Sequence, residues 1–171
     1  PMVTAAWKCA PALAMGNSVV LKPAEQSPLT AIRMGQLALE AGIPEGVLNV
    51  VPGFGHQAGK ALASHMDVDG VFFTGSTATG RLLMEYAAKS NLKKVGLELG
   101  GKSPNIILSS YADLETAAIT AADCMFANQG EVCIAPSRLI VERPIHNKVV
   151  EIIAEFAKSR QPANPLDPET R

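Results

Sequence analysis

Two side chains of this sequence can carry out covalent chemistry together. Cys133 follows a glycine-containing turn in Phe126-Ala127-Asn128-Gln129-Gly130-Glu131-Val132-Cys133-Ile134-Ala135. Glu98 lies 35 residues upstream, in Leu97-Glu98-Leu99-Gly100-Gly101-Lys102-Ser103-Pro104. A thiol nucleophile can attack a carbonyl, and a carboxylate that activates water can then hydrolyse the thioester left on sulfur. Free thiols are mostly protonated at neutral pH, so such a nucleophile needs a base or a stabilised thiolate. Cys133 sits between a helical and a strand-like segment, on a loop, where function concentrates. Cys9 and Cys124 lie in apolar helical contexts and are expected to be packed core thiols.

Three further segments have the chemistry to hold a nucleotide, each with an ordinary alternative. Gly53-Phe54-Gly55-His56-Gln57-Ala58-Gly59 follows a strand and opens a helix, the position of a dinucleotide fingerprint. Its spacing is one residue too long for G-x-G-x-x-G, and no acidic residue ends the next strand, so it also fits a plain glycine-rich turn. Phe73-Thr74-Gly75-Ser76-Thr77-Ala78-Thr79-Gly80 brings Gly75 and Ser76 to a helix N-terminus, where free N–H groups and the helix dipole favour phosphate. Arg81-Leu82 follows Gly80, so the segment is not a P-loop, and a serine-capped helix is the alternative. Lys22-Pro23-Ala24-Glu25 ends a strand at the edge where ligands bind in open α/β sheets. Glu25 could bind both ribose hydroxyls with Lys22 donating to the same sugar; a solvated ion pair is the alternative.

The elements that must position these groups alternate between short β-branched runs and longer amphipathic stretches. The pattern predicts helices over 2–15, 28–41, 57–64 and 77–89, interleaved with strands over 18–22, 47–51, 71–74 and 94–99. Pro11 is expected to kink the first helix. Ser27 is expected to cap the second, with Pro28 at its first position. This βαβ rhythm predicts a mostly parallel sheet with helices on both faces. It restarts after Gly100-Gly101 with strands over 105–108 and 138–142 and helices over 114–126 and 145–159. A domain boundary is therefore expected at the double glycine, with residues 1–99 in one domain and 100–171 in the next.

Composition narrows the function classes. The chain has 171 residues, 47% hydrophobic and 18% charged, with a formal net charge of −1. No basic excess points to nucleic acid. No apolar stretch approaches the roughly 20 residues of a membrane span, and no signal peptide is expected, since no charged leader precedes a hydrophobic segment at Pro1-Met2-Val3-Thr4. Three cysteines without framework spacing favour reduced thiols and a cytoplasmic setting. His56, His65 and His146 lie far apart without ligand-spaced partners, so no metal site is expected. The start at Pro1 and the polar stretch from Gln161 to Arg171 are expected to mark a fragment of a longer protein.

The two catalytic motifs, in this order and near this spacing, together resemble the aldehyde dehydrogenase superfamily, and the likeness runs along almost the whole chain. It implies a Rossmann-like α/β fold, followed by the start of a second α/β domain that carries the nucleophilic cysteine. It also implies oxidation of an aldehyde to a carboxylic acid with NAD, NADP being possible, by Cys133 as nucleophile and Glu98 as base. Lys22 and Glu25 match the family's adenosine-ribose motif, Gly75 and Ser76 its pyrophosphate motif, and Gly55 a glycine near the adenine; Leu99 joins the cofactor-binding residues. A glutamate like Glu25 favours NAD, because a carboxylate there repels a 2′-phosphate. One oxyanion donor would be the Cys133 N–H. The other, an asparagine before a Phe-Pro whose proline Pro1 resembles, would lie upstream, and a second glutamate downstream. Lys102 is read as structural. Relatives are about three times this long and are homodimers or homotetramers. The Gly130–Ala135 context is locally similar to bacterial γ-glutamyl-γ-aminobutyraldehyde dehydrogenases. Two alternatives stand beside this one: a CoA-acylating relative, against which the presence of Glu98 counts, and a non-catalytic homologue that binds nucleotide or a partner.

Overall fold

The structure, a computed structural model, describes residues 1–170. These form six α-helices and six β-strands, divided between a compact unit spanning Pro1–Leu99 and a second from Gly100 onward.

In the first unit α1 (Met2–Ala14) precedes β1 (Val19–Leu21), and α2 (Leu29–Glu40) precedes β2 (Leu48–Val50). β1 and β2 pair in parallel, Val19 opposite Leu48 and Leu21 opposite Val50. A π-helical turn (Gly55–Gly59) then runs into the short α3 (Lys60–Ser64). β3 (Gly70–Gly75), α4 (Thr77–Ala88) and β4 (Lys94–Leu99) form a βαβ unit whose strands pair in parallel over all six positions. The second unit repeats the device with β5 (Pro104–Ile107), α5 (Leu114–Phe126), β6 (Arg138–Val141) and α6 (His146–Lys158). Here Pro104 stands opposite Arg138 and Ile107 opposite Val141. All the pairings are parallel, as a βαβ rhythm requires, and the ladders form three separate two-strand pairs.

Small residues do most of the close packing. Ala5 and Cys9, four apart on α1, share its buried face, and burial pushes the Cys9 thiol pKa up, keeping it protonated. Gly80 in α4 is buried against β4: a Cβ there would stand 3.0 Å from Leu99 Cδ2 and 3.4 Å from Leu97 Cδ1. In the second unit Ala118 and Ala121 of α5 let Val149 of α6 reach Ile107 of β5, with Leu114, Val141 and Ile153 around them. Asp113 caps α5, accepting from Thr116 N at 3.0 Å and Thr116 Oγ1 at 2.7 Å, and these bonds hold its carboxyl below the usual carboxylate range.

Three local expectations are corrected. Ser27 does not cap α2: the helix begins at Leu29 after Pro28 and has no side-chain cap bond, because Pro28 already holds helical dihedrals. The helix expected from Gln57 opens earlier, at Gly55, as a π-turn. Gly53 allows this, since its φ of +153° and its contact with Ala58, 2.9 Å from an added Cβ, exclude any side chain. Cys124 is exposed, because the buried stripe of α5 runs through Ala118, Ala121 and Ala122 and leaves position 124 on the outer face.

One buried polar group holds the start of the β3–β4 pair. Lys93, 7% exposed, donates from Nζ to Ala63 O at 2.7 Å and Ser90 Oγ at 3.1 Å. Beside it Asn91 Nδ2 donates to Met66 O at 2.8 Å and Val68 O at 3.0 Å, pinning the loop that enters β3. Lys93→Met keeps the stem and strands the Ala63 carbonyl, so it is expected to cost about 1–3 kcal/mol. Urea denaturation of wild type and variant checks this, and coincident midpoints would show that the ammonium contributes nothing.

Candidate active site

The residues singled out above fall at three places, each set by the end of a strand or helix. The first is the rim beyond β1 and β2. Lys22 follows β1, its stem lies against Gly59, and its ammonium donates to Pro23 O at 2.6 Å and Gly53 O at 2.9 Å. The same Nζ stands 3.5 Å from Glu25 Oε2. Glu25 is more exposed than its partner, 39% against 17% at the side chain. Its own backbone N–H, then Lys22 and His56, hold its carboxyl below the ordinary range, so it stays ionised at neutral pH. Gly55 opens the π-turn on this rim, and a Cβ built there would meet nothing within 4 Å. Packing within the chain therefore does not require a glycine at position 55, and the space above it is open for a flat ligand.

The second place is the end of the β3–β4 pair. In-register pairing sets Thr74 opposite Glu98 and Gly75 opposite Leu99. Ser76 caps α4, its Oγ accepting from Thr79 N at 3.2 Å and donating to Thr79 Oγ1 at 3.0 Å. The next two amides, of Thr77 and Ala78, have no intrahelical acceptor and point out of the helix end, where an anion is favoured. Glu98 is exposed, and among the described residues its carboxylate makes no hydrogen bond or ion pair. Strand alternation puts Glu98 on the face opposite Leu97 and Leu99, whose side chains pack on Gly80. These donors and this open space fit a dinucleotide: carboxylate and ammonium for a ribose, free amides for a pyrophosphate, and room at Gly55 for a ring.

The third place is the nucleophile turn of the second unit. α5 ends at Phe126, and the chain then reverses through Asn128, Gln129 and Gly130, all left-handed with φ of 50°, 61° and 75°. Asparagine tolerates this region and glycine enters it freely, whereas glutamine is strained there. Asn128 clasps the turn, accepting from Glu131 N at 3.0 Å and donating from Nδ2 to Glu131 O at 3.2 Å. Cys133 then occupies the second position of a reverse turn closed by Ala135 N to Val132 O at 3.0 Å. Its thiol is exposed, and its N–H has no partner among the described residues. Gly101 lies against this turn, a Cβ there falling 3.4 Å from the Cys133 carbonyl oxygen.

Lys22, Glu25 and Gly55 thus share one rim; Glu98, Leu99, Gly75 and Ser76 share one strand-pair end; Cys133 belongs to the other unit. Sequence reasoning missed Asn128 and His56. Asparagine two residues before a glycine is a signal for a left-handed turn, while His56 carries no motif of its own. Among the described residues no group of three His, Cys, Asp or Glu side chains is arranged to hold a metal ion, and no helix is long and apolar enough to cross a membrane.

Comparison with known proteins agrees along the full length. Residues 1–171 match the aldehyde dehydrogenase family. The chain is 53% identical over 170 residues to the NADP/NAD-dependent aldehyde dehydrogenase PuuC of Escherichia coli, covering 99% of this chain and 34% of that protein. It is 55% identical over 168 residues to aldehyde dehydrogenase 1A1 of Bos taurus, covering 98% and 33%. Among solved structures, γ-glutamyl-γ-aminobutyraldehyde dehydrogenase from Burkholderia cenocepacia superposes with a TM-score of 0.96 at 60% identity, covering 99% of this chain and 34% of that one. An indole-3-acetaldehyde dehydrogenase in complex with NAD+ superposes with a TM-score of 0.97 at 59% identity, over the same shares. The chain spans about a third of the length of these relatives and belongs to the aldehyde dehydrogenase family.

Proposed function

We propose that the whole protein carrying this chain oxidises an aldehyde to its carboxylic acid with NAD(P), using Cys133 as nucleophile and Glu98 as the base that activates water. The observation that carries this is the setting of Cys133: an exposed thiol on a hydrogen-bonded reverse turn, its own amide N–H without a partner among the described residues. A nucleophile held this way can attack a carbonyl while the adjacent N–H receives the oxygen as it becomes negative. One such donor is typically worth about a hundred- to a thousandfold in rate.

Cys133 attacks as its thiolate, the form that the last step regenerates: the sulfur forms a bond to the aldehyde carbon and the carbonyl π-pair moves to oxygen, giving a thiohemiacetal anion facing the Cys133 N–H. A nicotinamide held by the first unit would supply the acceptor for the hydride that this carbon gives up. Collapse of the oxyanion leaves a thioester on Cys133. Glu98, whose carboxylate has no hydrogen bond among the described residues, takes a proton from water. The resulting hydroxide adds to the thioester, the thiolate leaves, and the acid is released.

The first unit, through Lys22, Glu25, Gly55, Gly75, Ser76 and the backbone at Leu99, holds the dinucleotide, and the second supplies the thiol. Dual cofactor use is supported by the relative described as NADP/NAD-dependent, and NAD by the neighbour solved with NAD+. The substrate class is an aldehyde. Relatives named for γ-glutamyl-γ-aminobutyraldehyde and indole-3-acetaldehyde are the first candidates to assay.

Two measurements test the roles. Cys133→Ser is expected to lower aldehyde-dependent NADH formation at least roughly a thousandfold. Cys124→Ser, altering an exposed thiol outside the proposed chemistry, stays near wild type. Wild-type turnover in Cys133→Ser, or its loss in a folded Cys124→Ser, removes Cys133 from the mechanism. Glu98→Gln is expected to spare the first half of the reaction and slow the second, because an amide cannot take the proton from water. Rapid mixing then shows a burst of about one NADH per site before a slow steady state, with thioester accumulating. Absence of both burst and thioester would place Glu98 before the thioester, acting on the thiol.

A further inference from the structure

One ring on the β1–β2 rim has no part in the reading above. His56 is the second residue of the π-turn, exposed, and stacked on Phe54 with ring centroids 5.6 Å apart and planes at 24°. The turn is tied down. Gln57 N and Gly59 N return to Phe54 O at 3.1 and 3.4 Å, and Lys22 Nζ holds Gly53 O at 2.9 Å while standing 3.5 Å from Glu25. Glu25 and His56 are therefore fixed to one rim through one lysine.

The donor inventory on this rim is uneven. An ammonium has three protons, and those of Lys22 face the Pro23 carbonyl, the Gly53 carbonyl and Glu25. Lys22 thus commits two of its donors to backbone carbonyls and keeps the third on the Glu25 side of the rim. Lys60, four residues beyond His56, carries its Nζ over the Tyr86 ring at 5.8 Å. His56 makes no hydrogen bond among the described residues, so its ring N–H is available. A ribose carrying a 2′-phosphate brings negative charge onto a rim where Glu25 repels it and Lys22 already gives two donors to backbone carbonyls.

We propose that His56 is a specificity-determining residue, its ring N–H opposing the repulsion of Glu25 so that the site takes a 2′-phosphorylated dinucleotide beside the unphosphorylated one. This rests on the reading of the rim as the adenosine-ribose site. Cofactor choice is then graded: Glu25 disfavours the phosphate, His56 restores part of its binding, and the ratio follows whichever of the two is altered.

The test is steady-state kinetics of the whole protein with NAD and NADP at one saturating aldehyde, for wild type, His56→Ala, His56→Lys and Glu25→Gln. An exposed contact to a charged group supports a change of about three- to fivefold. His56→Ala is expected to lower the NADP-to-NAD ratio of kcat/KM by that factor, through a KM for NADP that rises more than the KM for NAD. His56→Lys raises the ratio by at least as much, as does Glu25→Gln. An unchanged ratio in both His56 variants, with NAD turnover intact, overturns this inference and leaves the dinucleotide reading standing. A wild type that binds neither nucleotide by calorimetry overturns both. Equal losses for NAD and NADP in His56→Ala also overturn it, since they assign the ring to general support of the turn.

Discussion

Parallel, in-register pairing of β3 with β4 is the constraint on which the proposed cofactor and base positions depend. Because Thr74 stands opposite Glu98 and Gly75 opposite Leu99, the strand carrying the carboxylate and the strand feeding the α4 N-terminus end at one edge. A slip of one residue would exchange faces along β4, sending Glu98 against α4 and Leu97 outward. Two devices oppose such a slip. At the start of the pair Lys93 and Asn91 anchor the entering loop. At its end Gly80 lets the helix sit close enough for Leu97 and Leu99 to pack beneath it.

The β1–β2 rim uses a lysine for a purpose that its charge alone does not disclose. Lys22 spans from the end of one strand to the turn after the next, satisfying the Gly53 carbonyl at a residue whose φ of +153° no side chain could follow. Its pairing with Glu25 then orients a carboxylate at the surface. An ion pair whose carboxylate lies this far toward solvent adds little to stability. What the lysine supplies is placement: Glu25, the open ground above Gly55 and the His56 ring are held in one frame.

In the second unit, backbone strain does the placing. Two non-glycine residues in left-handed conformation precede Gly130, and the Asn128 side chain closes the turn they make. Strain of this sort persists when surrounding bonds over-determine it, and it clusters at active sites and ligand clamps. Burial acts the other way on Cys9, whose thiol is driven toward its protonated form. Cys124, on the outer face of α5, is exposed but has no comparable turn behind it.

Much of this was legible in the linear sequence. The alternation of β-branched runs with amphipathic stretches determines parallel βαβ units, and β4 and α5 have the bounds their patterns predict, Lys94–Leu99 and Leu114–Phe126. The motifs around Cys133, Glu98, Lys22 and Gly75 are local strings, and a local string determines which chemistry is available. Tertiary structure decided what depends on contacts between distant segments. It set Lys22 on the Gly53 carbonyl and buried Lys93 under Ala63, both bonds spanning about thirty residues of chain. It turned Cys124 outward beside Asp123, because a helix buries one stripe and the small alanines had taken it. It brought His56 to the rim of Glu25, a placement no spacing rule encodes. Periodicity reports which face of an element is apolar; the partner that a polar side chain finds across the fold is a matter of geometry.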